Sequence, residues 1–347
     1  MQIDFTNGEK DLLSPLMKRG ADFLGCRYPI ICGAMTWVSD PALVSKVCNQ
    51  GCFGCIAGGN APASTLLREI NTTRILTDNN FGVNLITIAP SYKEHLAMLK
   101  DLKVPYIIFA GSFPKEKEVL EAKSTGAKVM CFASTISIAD RMIKFGADAI
   151  ILEGSEAGGH IGHVSTTVLI QQLLFKYGQD LPIFVAGGVA TGKMMAHLLL
   201  MGAAGVQMGT RFVMTKECSV HPKFKEVFLH ANSRDAIATP QYDSQLPVVA
   251  VRALKNKGMQ SFGALQLKLL RELEAGTIHR QAAQEEVEKF WMGALRRAAV
   301  DGDVENGSLM AGQSVGLMDN IIGMDELIRT LLQDANNELA AVKKLLA

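Results

Sequence analysis

The sequence has no block of like charge and no long apolar run. Its 347 residues carry a net charge of +1 at pH 7, and no stretch of Lys or Arg is longer than two residues. Nucleic acids and acidic membrane surfaces attract concentrated positive charge, so we expect neither as a partner. No uninterrupted apolar segment reaches the length needed to cross a bilayer, so a membrane-spanning chain is not expected either.

A disulfide framework is also missing. The seven cysteines are odd in number and irregular in spacing, which favours reduced thiols and a cytoplasmic location. Cys48, Cys52 and Cys55 have a spacing that is used to hold iron–sulfur clusters. However, Cys48 falls on an apolar helix face with Val44 and Val47, whereas Cys55 begins a strand. The thiols should point into different layers, so buried structural cysteines are the better interpretation.

Three further ligand motifs are incomplete. Gly187, Gly192 and Lys193 are spaced like the start of a P-loop, but Met194 replaces the Ser or Thr that would bind Mg²⁺. His160 and the histidine three residues after it lack a third metal ligand nearby, so we expect no metal. A strand-linked GxGxxG fingerprint is absent, although flavin barrels bind NAD(P)H without one.

The chain does contain a regular alternation of short apolar runs with amphipathic stretches. Helix start signals occur at Asp40-Pro41 and, as a possible capping box, from Ser91 to Glu94. Strands that alternate with helices pair in parallel through right-handed crossovers, and eight such units close a barrel. We therefore predict an α/β fold, a (β/α)8 TIM barrel, with an open doubly wound sheet as the alternative. The eight predicted strands are 28–33, 54–58, 81–85, 106–111, 128–133, 148–153, 183–187 and 204–209.

The alternation stops near Cys218, and two long amphipathic helices follow. We predict that residues 1–218 and 306–347 form the barrel, and that 219–305 form a smaller, mainly helical lid domain over its C-terminal mouth. The run 307–313 is rich in small residues and should re-enter the site, and a last helix over 325–346 should pack on the barrel wall. The apolar positions of the lid helices recur at three- and four-residue spacing: Leu265, Leu269 and Leu273, then Val287, Trp291, Leu295 and Ala298.

The most informative stretch is Glu153 to His160, which directly follows the apolar run 149–152. Gly158 and Gly159 lack a Cβ, so the backbone there can approach a flat ligand closely. A histidine at such a strand end is well placed to exchange protons near neutral pH. We therefore predict that His160 is catalytic.

Two strand ends carry phosphate-binding signals. Gly187 and Gly188 follow the seventh predicted strand and precede a helix that should begin near Thr191. Gly209 and Thr210 follow the eighth strand. In barrels, the loops after these two strands commonly hold phosphate through backbone N–H groups. A phosphate-bearing cofactor is therefore expected.

Taken together, these motifs resemble the nitronate monooxygenases, formerly called 2-nitropropane dioxygenases, and equally the related flavin enoyl-acyl-carrier-protein reductase II. The resemblance runs in order from about Tyr28 to Leu317. It departs at Ala34, where the reductases usually have a second glycine and many monooxygenases a proline. The matching segments are 31–37, 81–84, 153–160, 186–188, 207–211, 221–222 and 301–308.

The resemblance implies FMN in the barrel mouth, with His160 as the catalytic histidine. The residues that it implies around the isoalloxazine ring and the ribityl chain are Gly33, Ala34, Met35, Asn84, Glu153 and Gly158. Those that it implies around the phosphate are Gly187, Gly188, Gln207, Met208, Gly209 and Thr210.

The resemblance also implies the activity. The preferred expectation is oxidation of alkyl nitronates, with a small-molecule substrate, O₂ and no nicotinamide. The alternative is NAD(P)H-dependent reduction of an enoyl chain carried by acyl carrier protein, and a third class is a non-enzymatic flavin-binding role. Exposed apolar positions on the lid helices make a homodimer possible.

Overall fold

The computed structural model describes residues 11–59, 61–246 and 250–347. The strands are β1 (Ile30–Cys32), β2 (Phe53–Ala57), β3 (Gly82–Ile86), β4 (Tyr106–Ala110), β5 (Lys128–Ala133), β6 (Ala149–Glu153), β7 (Gly159–His160), β8 (Ile183–Ala186), β9 (Gly205–Met208), β10 (Ala236–Ala238) and β11 (Val251–Leu254).

The helices follow the strands in the expected alternation. They are α1 (Ser14–Leu24), α2 (Pro41–Asn49), α3 (Ala63–Leu76), α4 (Tyr92–Leu102), α5 (Glu116–Ser124), α6 (Ile136–Lys144), α7 (Thr166–Leu169), α8 (Phe175–Tyr177), α9 (Gly192–Leu200), α10 (Thr210–Val213), α11 (Pro222–His230), α12 (Lys257–Glu274), α13 (Arg280–Ala299) and α14 (Met324–Leu346). A π-helical turn, Ile170–Leu174, joins α7 to α8, and 3-10 turns lie at Ser233–Asp235 and Gln313–Leu317.

Eight parallel strands form a closed barrel in the order β1, β2, β3, β4, β5, β6, β8 and β9, so the predicted TIM barrel is confirmed. The sheet closes between β1 and β9, where Ile31 pairs with Gln207, while on its other side Ile31 pairs with Phe53 of β2. Each predicted strand overlaps an observed one. The alternation of apolar runs was sufficient to find them because parallel barrel strands are buried on both faces.

Side chains alternate between the inside of the barrel and the helical layer around it. In β4, Tyr106 and Ile108 belong to the inner cluster, whereas Ile107 and Phe109 pack against the surrounding helices. Helix α1 closes the N-terminal end of the barrel from below. Leu24 joins the inner cluster, and the Tyr106 hydroxyl donates to the Phe23 carbonyl at 2.7 Å.

The two predicted helix starts have different outcomes. Asp40 caps α2, since its carboxylate accepts from the Leu43 N–H at 2.8 Å. Helix α4 begins at Tyr92, but the predicted capping box is wrong because Ser91 makes no side-chain cap. The backbone of Ser91 is already helical, with φ −81° and ψ 0°, whereas a capping side chain requires extended backbone at that position.

We use the name lid segment for residues 219–305. The structure places α11, β10, β11, α12 and α13 there, and the two long helices pack face to face around Phe262 and Trp291. β11 pairs antiparallel with β10 and with β7, so a small sheet ties the lid segment to the loop after β6. The proposed division into two domains stays a prediction.

The last helix, α14, packs on the barrel wall against α9, as predicted. The two helices approach closely at Gly192, where an added Cβ would lie 2.1 Å from the Leu331 carbonyl oxygen. In the part of the chain that the structure describes, no helix is long and apolar enough to cross a membrane.

The cysteines are divided between the two layers of the barrel. Cys55 belongs to the inner cluster, whereas Cys48 and Cys52 lie in the outer layer. Burial raises the pKa of the Cys48 thiol to about 11, and its sulfur lies 3.4 Å from the Gly54 N–H. Within residues 11–59, 61–246 and 250–347, no group of three or more Cys, His, Asp or Glu side chains could hold a metal ion.

The packing of helix α1 against the N-terminal end of the barrel can be tested. Gly20 faces the strand wall so closely that an added Cβ would lie 1.8 Å from the Ala204 carbonyl oxygen. We expect Gly20→Val to destabilise the protein by about 2–3 kcal/mol, because overpacking forces α1 away from the strands. The measurement is urea unfolding, with Lys18→Ala on the exposed face of α1 as the control. A Gly20→Val midpoint equal to that of the control would contradict the close packing of α1 against the strands.

Candidate active site

A cavity opens at the C-terminal end of the barrel. The alternation of side chains along each strand, inward and outward, determines which residues form the floor of this cavity. Ile31, Ile151 and Phe184 point inward, so the residues two positions further along each strand point inward as well. Apart from Phe132, these last inward positions are small or polar rather than bulky, which leaves the mouth open. Those that line the cavity are Gly33, Asn84, Ala110, Phe132, Glu153, Ala186 and Gln207.

The loop after β8 has a backbone shape that glycine permits. Gly187 and Gly188 have φ values of +93° and +76°, in the left-handed region that other residues rarely adopt. Both glycines line the cavity, and among the described residues no acceptor is found for the Gly188 N–H. Consecutive N–H groups in such a turn form a concave site for an anion. Helix α9 follows and begins at Gly192, next to the predicted start near Thr191, and the Thr191 side chain caps it.

The loop after β9 lies on the same side of the cavity. Gly209 and Thr210 line it together with Gln207 and Met208. The Thr210 hydroxyl accepts from the Gly312 N–H at 3.0 Å, which ties this loop to the 307–313 run. That run does reach the site, as predicted, because Met310 and Gly312 also line the cavity.

Two polar side chains of the floor differ in their hydrogen bonding. Asn84 is buried, and its amide donates to the Ile108 carbonyl at 3.2 Å, which fixes the side chain across neighbouring strands. The Glu153 carboxyl has no hydrogen bond to any other described residue, and burial raises its pKa to about 8. At neutral pH this carboxyl is therefore mainly protonated, and it can donate a hydrogen bond.

His160 lies at the side of the cavity, in the short strand β7. Its backbone is held by pairing with Val251 of the lid segment, and the next residue, Ile161, donates to the Ala250 carbonyl at 2.8 Å. Its Nε2 is buried and lies 3.5 Å from a carboxylate oxygen of Glu288, in a geometry that does not make a hydrogen bond. The hydrogen-bonding capacity of this nitrogen is therefore not used by any described residue.

The loop between Glu153 and His160 is anchored at its middle. The carboxylate of Glu156 accepts from the N–H and the hydroxyl of Thr166, at 3.0 and 2.9 Å. Gly158 packs against the 307–313 run, where an added Cβ would lie 2.5 Å from Ala311. Glycine is thus required at this position by neighbouring backbone as well as by any ligand.

Helix α13 forms the roof of the cavity. Its residues Glu288, Trp291, Met292 and Leu295 line the cavity at the spacing of one helix face, and Phe224 of α11 joins them. The sequence motifs assign none of these residues to the site. Trp291 and Leu295 are recognisable in the sequence only as apolar lid positions, and the one signal that could have pointed to the roof is the carboxylate next to that apolar stripe.

Every residue that the sequence predicted for the site lines this one cavity. The set comprises His160, Gly33, Ala34, Met35, Asn84, Glu153, Gly158, Gly187, Gly188, Gln207, Met208, Gly209 and Thr210. Their roles toward a ligand stay predictions. His163 is exposed, and it is not among the residues that line the cavity.

Comparison with known proteins gives the family. The family model for nitronate monooxygenase matches residues 18–95 and 86–334. A (3aS,4S,5R,7aS)-5-hydroxy-7a-methyl-1-oxo-octahydro-1H-indene-4-carboxyl-CoA dehydrogenase from Rhodococcus jostii is 30% identical, over 96% of this chain and 100% of its own. A probable nitronate monooxygenase from Staphylococcus aureus is 26% identical, over 85% of this chain and 91% of its own.

Solved structures agree with this assignment. FabK from Thermotoga maritima is 34% identical, with a TM-score of 0.82 over 94% of this chain and 98% of its own. A nitroalkane oxidase from Streptomyces ansochromogenes has the same fold, with 24% identity and a TM-score of 0.77 over 93% of this chain and 99% of its own. The chain therefore belongs to the nitronate monooxygenase family and is a flavin-dependent oxidoreductase of that family.

Proposed function

We propose that the protein holds FMN in this cavity and reduces the C=C bond of an α,β-unsaturated acyl thioester, with NADH or NADPH as the electron donor. The cofactor part rests on the loops after β8 and β9. The two left-handed glycines, Gly187 and Gly188, form an anion-binding turn that suits a terminal phosphate. The open floor of the cavity, whose residues other than Phe132 are small or polar, suits a flat ring system.

The charge of the cavity favours a neutral substrate, and this observation carries the choice of reaction. Among the described residues that line the cavity there is no Lys or Arg, and His160 is the one side chain that can become positively charged. Glu153 and Glu288 supply carboxyl groups instead. A nitronate anion would find at most one positively charged side chain, His160, which already lies beside the Glu288 carboxylate, whereas an acyl thioester is neutral at its reacting carbons.

The relatives point in the same direction. Of the relatives named above, the Rhodococcus CoA-thioester dehydrogenase is 30% identical and FabK, the enoyl-acyl-carrier-protein reductase II, is 34% identical. The relatives named for nitronate or nitroalkane chemistry are 26% and 24% identical. This reverses the order of the two activities that the sequence motifs alone suggested.

Reduction of the enoyl group adds a hydride to the carbon β to the carbonyl and a proton to the α carbon, while the C=C π bond breaks. When bound, the flavin supplies the hydride, with reduced nicotinamide as the source of both electrons. His160 would hold the proton at its buried Nε2 and give it to the α carbon. Glu153, protonated at neutral pH, would keep the floor uncharged, and the roof residues Trp291 and Leu295 would exclude water.

Oxidation of nitronates is the second candidate. It is favoured by the segment 33–37, which resembles sequences of monooxygenases, and by the name of the Staphylococcus aureus relative. In that reaction a neutral His160 would remove the α-proton of a nitroalkane, and O₂ would be consumed without nicotinamide.

The cofactor proposal predicts the effect of a charge beside the phosphate loop. Gly209 has an ordinary φ of −114°, and an added Cβ would meet only Met35 Sδ, at 3.5 Å. We expect Gly209→Asp to fold but to bind FMN about tenfold or more weakly, because like charges repel. Gly209→Asn is the uncharged control. Released flavin, identified by chromatography, should be FMN, and equal retention by both variants would contradict the assigned phosphate position.

The electron source separates the two candidate activities. Under anaerobic conditions, mixing of the FMN-bound protein with NADH or NADPH should bleach the flavin absorbance rapidly, and a crotonyl thioester should restore it. In parallel, oxygen uptake with propyl nitronate and no nicotinamide should be negligible. Slow bleaching together with nitronate-dependent oxygen uptake would overturn thioester reduction in favour of nitronate oxidation.

Glu153 predicts a pH dependence of stability. Its pKa in the folded protein, about 8, exceeds the ordinary value of 4.5, so the folded state binds more protons than the unfolded state between those pH values. This contribution to stability is present at low pH and is lost as the pH rises through about 8. We expect Glu153→Gln and the wild type to have equal Tm values near pH 4.5. As the pH rises toward 9, the Tm of Glu153→Gln should exceed that of the wild type by an increasing amount.

The measurement is the Tm of the flavin-free proteins across this pH range. Glu274→Gln, at an exposed position of α12, controls for the loss of one negative charge. A constant difference in Tm between Glu153→Gln and wild type at every pH would show that Glu153 does not titrate in this window.

A further inference from the structure

The roof of the cavity contains one charged group in an otherwise apolar stripe. Glu288, Trp291, Met292 and Leu295 lie at positions i, i+3, i+4 and i+7 of α13, and all of them line the cavity. Such a stripe normally buries only apolar side chains. A glutamate that lies in it must therefore be stabilised by a partner inside the cavity.

Glu288 has one such partner among the described residues. Its side chain is only 13% exposed, and its carboxylate oxygen lies 3.5 Å from His160 Nε2. No other hydrogen bond or ion pair of Glu288 is found in residues 11–59, 61–246 and 250–347. Because a buried carboxylate loses its hydration, the pairing with the imidazole is the main compensation available to it.

His160 depends on the same contact. The pairing of β7 with β11 fixes its backbone, but neither ring nitrogen makes a hydrogen bond to a described residue. The ring orientation and the charge that the ring carries must then be set by the groups around it. Those on the neighbouring elements are Glu153 at the end of β6, Glu156 in the same loop, Arg252 on β11 and Glu288 on α13.

Three of these four groups are neutral or engaged elsewhere. Glu153 is protonated at neutral pH because burial raises its pKa to about 8. Glu156 accepts from Thr166 at 3.0 and 2.9 Å. Arg252 donates to the carbonyls of Ser155 and Ala236, at 3.0 and 2.6 Å. Glu288 is the remaining charged group that faces the imidazole.

We propose that Glu288 is a positioning residue, which orients the imidazole of His160 and favours its protonated form. The carboxylate attracts the positive charge of the protonated ring, and the attraction is strong because both groups are mostly removed from water. His160 is thereby kept in its proton-donating form at the side of the cavity, with Nε2 beside the carboxylate. The inference rests on the proposed function only for the direction in which the proton moves.

The test is the pH profile of kcat/KM for the FMN-loaded protein and its variants. For a proton donor, activity falls on the alkaline side, where the ring loses its proton. We expect Glu288→Gln to move the midpoint of that limb to lower pH by about one unit, since the opposite charge is gone. At pH 7.5 its kcat should fall severalfold, and by no more than about tenfold for a shift of one unit, while KM changes less than twofold.

Matched variants separate charge from packing. Glu288→Asp keeps the charge and should retain a midpoint near that of the wild type, even where its rate is lower. Glu285→Gln, which lies three positions earlier on the exposed side of α13, should match the wild type throughout. Combining Glu288→Gln with His160→Asn should lower activity no further than His160→Asn alone, because Glu288 acts through His160.

The proposal fails if Glu288→Gln loses rate uniformly with an unchanged midpoint, or if its loss adds to that of His160→Asn. If Glu288→Gln does not retain FMN, the comparison of Glu288→Asp with wild type decides. A midpoint moved by a full unit in Glu288→Asp, with the charge still present, would also contradict the proposal.

The limb that moves reports on the proposed function separately. If the protein instead deprotonates nitroalkanes, His160 acts as a base and the limb lies on the acid side. Loss of Glu288 would still shift that midpoint to lower pH. A shift on the acid limb would thus overturn thioester reduction but support the proposed role of Glu288. An unshifted alkaline limb would agree with thioester reduction but overturn the role of Glu288.

Discussion

Hydrogen bonding between β1 and β9 closes the sheet, and closure decides which side chains reach the site. Once Ile31 is paired with Gln207 on one side and Phe53 on the other, the inward or outward direction of every residue in β1 is fixed. The same holds around the ring, so that Ile151 and Glu153 share one direction. A shift of one residue in any pairing would exchange site residues for wall residues.

The sequence predicts much of this because the relevant information is local. Eight buried strands, the glycine-containing loop at Gly187 and Gly188, and the start of α9 near Thr191 each depend on a few adjacent residues. The strand ends then meet at one mouth because parallel strands share a direction. This is why the predicted floor and loop residues all line a single cavity.

The parts that could not be predicted depend on contacts between distant segments. Glu288 meets His160 across 128 positions, through the packing of α13 that no local pattern specifies. The pairing of β7 with β11 involves only two residues of β7, too few for a recognisable period. Ser91 failed as a cap because its backbone conformation, set by the preceding turn, is helical. The sequence motif had the right residue type in the wrong conformation.

The sheet shared by β7 and β11 has a consequence for how the enzyme can be timed. A movement of α12 and α13 that widened the mouth would pull on β11, and through it on the backbone of His160. The same movement would carry Glu288 away from the imidazole. Entry of a substrate and proton donation by His160 would then require different positions of α12 and α13. The enzyme would be inactive while its mouth is open and active only after it closes.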